Sequence, residues 1–125
     1  MKTRTELGAI AGKLIVRLYR EDNNKAQATL IKRWGHLLCR YATGNVLGGL
    51  YPMQKVVETM LQSAKTKQTK DNIKSFAKDI AEAGLSEVSF YQCGGGLVGI
   101  PSDWVGGEFQ IAFTESLAVN MAKWK

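Results

Sequence analysis

One histidine and two cysteines are all that this 125-residue chain offers of the softer metal ligands. His36, Cys39 and Cys93 form no C-x-x-C or H-x-x-x-H pair, so a zinc site lacks ligands. The acids form no short cluster of the calcium- or magnesium-loop kind. Neither a metal nor a cofactor is expected. Two distant cysteines also make no disulfide framework, and the expectation is reduced thiols in a cytoplasmic protein. No apolar run approaches the roughly 20 residues that a membrane span needs. Glu6, Lys13 and Arg17 interrupt the first apolar stretch, which argues against a signal peptide.

Missing partners weaken two further chemistries. A nucleophilic Cys93, with the glycines after it offering N–H groups to an oxyanion, needs a general base. His36 is the only histidine, and nothing in the sequence places it near Cys93. The stretch Gly94–Gly99 spells G-x-G-x-x-G, but a dinucleotide site needs those glycines to open a helix, and Ile100-Pro101 follow instead. The chain reads as non-enzymatic.

Acidic residues are scarce where basic ones are dense. Residues 1–70 carry thirteen Lys/Arg against four Asp/Glu, a surplus of +9, whereas residues 71–125 carry four against seven, or −3. Charge divided in this way points to a polyanionic partner for the first part.

Thr3-Arg4-Thr5-Glu6 has capping-box spacing, and Leu7, Ile10, Ala11, Leu14, Ile15 and Leu18 follow at helical intervals. Lys13, Arg17 and Arg20 fall on the other side of that helix. Glu21–Asn24 breaks it and offers Asn24 as the next N-cap. A second helix over about 25–42 gathers Leu30, Ile31, Trp34, Leu37, Leu38 and Tyr41 on one arc. Its cations Lys25, Lys32, Arg33 and Arg40, with His36, occupy another arc free of acids. Cys39 falls between the two arcs, where a half-buried thiol is expected. Glycines make 43–51 a loop. A third helix from Pro52 buries Met53, Val56, Val57, Met60 and Leu61. Lys65–Lys70 reads as an exposed turn before a fourth helix with Ile73, Phe76, Ala77, Ile80 and Ala81 on one face, ending at Gly84.

Beyond Gly84 the pattern alternates. Val88 and Phe90, the run Leu97–Ile100, and Phe109, Ile111 and Phe113 read as three strands of an antiparallel meander. Thr114 then caps a short helix carrying Leu117, Ala118, Met121 and Trp124. The expected fold is therefore α+β: a four-helix part packed against a small three-strand antiparallel meander, with a short C-terminal helix. One domain spans 1–125, with a basic helical part to 84 and the meander and terminal helix over 85–125.

The expected function is a non-enzymatic module that contacts nucleic-acid backbone, DNA or RNA, without sequence specificity, as an accessory protein or small subunit of a nucleoprotein complex. Lys13, Arg17, Arg20, Lys25, Lys32, Arg33, His36, Arg40, Lys65, Lys67 and Lys70 are its candidate contacts. No RNP signature, GXXG loop or zinc finger accompanies them, so base reading is not expected. The alternative is a phage- or plasmid-type inhibitor that blocks a host machine, docking on an acidic protein surface by the basic face or by the Trp104 loop, with Trp104 and Tyr91 as the candidate protein-contact residues.

Overall fold

The computed structural model describes residues 1–26, 29, 49–84, 87–93, 96–101 and 108–124, with backbone alone for 49–53, 55–56, 87–93, 96–101 and 110. Four helices form its body: α1 (Arg4–Glu21), α2 (Met53–Ser63), α3 (Lys67–Glu82) and α4 (Glu108–Lys123). Short extended segments β1 (Gly49–Pro52), β2 (Glu87–Cys93) and β3 (Gly96–Pro101) pair antiparallel in the order β1-β2-β3. Gly49 stands opposite Phe90, and Cys93 opposite Gly96.

The ends of α1 follow from its flanking residues. Thr3 accepts the Glu6 N–H at 3.1 Å while the Glu6 carboxylate accepts the Thr3 N–H at 3.2 Å, so two otherwise unpaired donors at the helix start are satisfied. At the other end Asn23 enters the left-handed region with φ of 53°. Its N–H reaches the Arg20 carbonyl and that of Asn24 reaches Tyr19, which closes a Schellman motif around an asparagine. Gly84, with φ of 80°, ends α3 in the same left-handed conformation.

The two terminal helices make the main contact. Opposite Gly8 lie Phe109 and Ala112, opposite Gly12 lie Phe113 and Ser116, and beside Arg17 and Arg20 lie Asn120 and Lys123, so α1 and α4 run parallel. Glycine is required at both crossing points. A Cβ on Gly8 would collide with the Phe109 carbonyl oxygen, and one on Gly12 would meet Ser116 Cβ at 2.7 Å. The Ser116 hydroxyl donates across the contact to the Ala9 carbonyl at 2.7 Å. Phe109 and Phe113 lie stacked, ring centroids 6.5 Å apart, one turn from each other on α4.

The core is continuous from this pair into α2 and α3. Leu7, Leu14, Ile15, Leu18 and Tyr19 of α1 share it with Met60, Ile73, Phe76, Ile80, Phe109, Phe113 and Leu117. On α3 the buried positions Thr69, Ile73, Phe76 and Ile80 repeat every three or four residues. Thr66 caps that helix by accepting the Thr69 N–H at 3.2 Å.

These observations correct the expected class. Among residues whose side chains are described, 83% are helical and none belongs to a strand, so the packed body is helical rather than α+β with a meander. The third expected strand, Phe109–Phe113, is the first turn and more of α4. Alternation misled because Phe109 and Phe113 satisfy both periods. Ile111 decides between them: a strand would turn it inward with the phenylalanines, yet it is 61% exposed. The terminal helix is accordingly sixteen residues long, starting at Glu108 and not at Thr114. Three smaller expectations also fail. Lys67–Lys70 is the first turn of α3 and not a linking turn, and Ala81 is exposed. Pro52 ends β1 instead of opening α2. The second expected helix and most of the 43–51 loop lie largely outside the described residues.

Candidate nucleic-acid interface

Lys13, Arg17 and Arg20 are spaced i, i+4, i+7 on α1 and therefore form one row along its solvent edge, about 10.5 Å long at 1.5 Å per residue. Because α4 runs parallel to α1, its last turn arrives beside the end of that row. The result is an open groove of about 610 Å³ lined by Lys13, Val16, Arg17, Arg20, Glu21, Thr66, Asn120 and Lys123. Residues near both ends of the chain thus meet in one place.

Among the described lining residues, four cations face a single acid. None of Lys13, Arg20 and Lys123 forms an ion pair with a described residue. The Arg17 guanidinium donates to Gln68 Oε1 at 3.3 Å, which ties the row to α3. Arg20 and Lys123 occupy the last turns of their helices, where they oppose the partial negative charge of two carbonyl ends. Glu21 serves α3: its Oε1 accepts the Thr66 N–H at 3.1 Å, placing a carboxylate at the positive end of that helix. Its Oε2 is buried and makes no hydrogen bond to a described residue.

A second groove, of about 260 Å³, lies on the other side of Lys13 and Arg17, between α1 and α3. Lys2, Ile10, Leu14, Asn72, Ser75, Phe76 and Asp79 complete its lining. Lys2 pairs with Asp79 at 3.1 Å, so its charge is matched. Lys13 and Arg17 border both grooves, and with Arg20 and Lys123 added the first carries the larger surplus among described residues, four cations to one acid against three to one.

The remaining sequence candidates divide. Lys65 is exposed and lies 3.8 Å from Asp22 at the turn beside Thr66. Lys67 and Lys70 are exposed on α3 and line neither groove. Lys25 is exposed at the start of the next helical stretch. Lys32, Arg33, His36, Arg40 and Trp104 lie outside the described residues, and of Tyr91 only the backbone, in β2, is described. Sequence reasoning missed Lys123 and Asn120. The available signal was the Gly8–Gly12 spacing, which marks a helix face meant for close contact.

No group of His, Cys, Asp and Glu able to hold a metal occurs among the described residues, and no helix among them is long and apolar enough to cross a membrane. Comparison with protein families, with curated proteins and with solved structures finds no match.

Proposed function

We propose that the protein holds nucleic-acid backbone, DNA or RNA, without reading its sequence, as an accessory component of a nucleoprotein complex. The observation that supports this is the single groove carrying Lys13, Arg17, Arg20 and Lys123, none of them in an ion pair with a described residue. Mobile ammonium and guanidinium groups suit phosphate oxygens, and releasing counterions from phosphates drives association with no base contact. The uncharged donors of the groove are already used. Asn120 Nδ2 donates to the Ser116 carbonyl and hydroxyl, and the Thr66 hydroxyl donates to Thr69. Little remains to discriminate bases. The same reading places the protein in the cytoplasm, where its two cysteines remain thiols.

Fluorescence anisotropy with generic oligonucleotides across a salt series tests it, on protein stripped of carried-over nucleic acid. The expected result is affinity falling with a log–log slope of about −2 to −4, as three or four neutralised phosphates require. No binding at low salt ends the proposal and turns the search to an acidic protein partner.

A further inference from the structure

The groove's shape narrows the choice of polymer. Its cations stand on two rims, Lys13, Arg17 and Arg20 from α1 and Lys123 from α4, with Val16 between them. The groove, of about 610 Å³, is open to solvent along its length. One phosphodiester strand laid along the α1 row also passes Lys123 of α4, and so meets charge from both helices. A duplex is a stiff rod that offers its phosphates from a convex surface, each strand turning away from a straight row as it completes a turn in about 10 base pairs. An unpaired strand is free to follow the row on α1. None of the groove's described lining residues is aromatic, so they offer no stacking platform and favour phosphates inward with bases outward. At the Thr66 end Glu21 is the one like charge among the described lining residues, and it limits how far the strand advances.

We infer that this groove takes a single unpaired strand of DNA or RNA in preference to a duplex, by its backbone alone; this rests on the nucleic-acid reading above. Arg20 and Lys123, on opposite rims, act together on the same stretch of strand. Glu21 opposes it.

The test uses the full chain with labelled oligothymidylate, oligoadenylate and a mixed-sequence duplex of equal length at one ionic strength. Both single strands are expected to bind within about threefold of each other and about tenfold tighter than the duplex, since backbone contacts ignore base identity. The double variant Arg20→Gln/Lys123→Gln should flatten the single-strand salt slope by about 1.4, two contacts at about 0.7 each. Glu21→Gln, which keeps an acceptor for Thr66, should tighten single-strand binding by about two- to fivefold, as loss of one nearby like charge allows. Thermal melts of each variant exclude misfolding as the cause. Equal or tighter duplex binding overturns the inference and leaves backbone binding standing, as does a double variant that folds yet binds single strands like the parent. Binding of neither polymer removes the underlying reading as well.

Discussion

The helices α1 and α4 lie side by side and parallel, yet they reach that contact by opposite patterns. On α1 the buried residues are interrupted along one edge by Lys13, Arg17 and Arg20, so its inner and outer sides differ sharply. On α4 apolar residues continue onto the solvent side, where Ile111 and Val119 are 61% and 54% exposed. The packed side of α4 is set by Phe109, Phe113, Leu117 and Met121, every fourth residue, and by the small residues Ala112 and Ser116 that meet the glycines of α1. Apolar content alone does not identify a helix's inner face. Shape complementarity at the crossing does.

Substitutions along the two helices sharpen this contrast. Phe109→Ala removes a ring that is 1% exposed and stacked on Phe113, and a loss of about 3–5 kcal/mol is expected in denaturant unfolding. Gly8→Ala gains about 1 kcal/mol of helix propensity but forces a methyl into the Phe109 carbonyl, which is backbone and cannot rotate aside. A net loss of about 1–2 kcal/mol is expected, seen as a lower Tm. A tolerated alanine there would mean that α1 and α4 are not in close contact. Thr66→Ala removes the α3 cap, worth about 1 kcal/mol in the same assay. Ile111→Ser should change stability by no more than about 0.5 kcal/mol, because its side chain is already in water. A large loss at Ile111 with little at Phe109 would reverse the assignment of faces.

The same contrast explains what the amino-acid sequence disclosed. The α1 cap was legible in Thr3 and Glu6, its end in the polar run Glu21–Asn24, and its cationic row in the spacing of Lys13, Arg17 and Arg20. Those are local, fixed by residues within one or two turns. The α4 helix was not legible, because Phe109, Ile111 and Phe113 also fit a strand and the choice depended on what packs against them. Lys123 escaped notice for a related reason. Its place beside Arg20 depends on parallel packing between residues about a hundred positions apart, and only the spacing of Gly8 and Gly12 hinted at it. Half of the groove was readable from one helix; the other half is tertiary.

Lys13, Arg17 and Arg20 near one end of the chain and Lys123 near the other line one groove, proposed above to hold phosphates. The most direct measurement is a double-mutant cycle on oligothymidylate binding, comparing Lys13→Gln/Arg20→Gln, Lys123→Gln and all three together. Lys123→Gln alone should flatten the salt slope by about 0.7, comparable per residue to the α1 changes, as one lost single-strand contact requires. A slope that responds to the α1 pair and ignores Lys123 would contradict the shared groove.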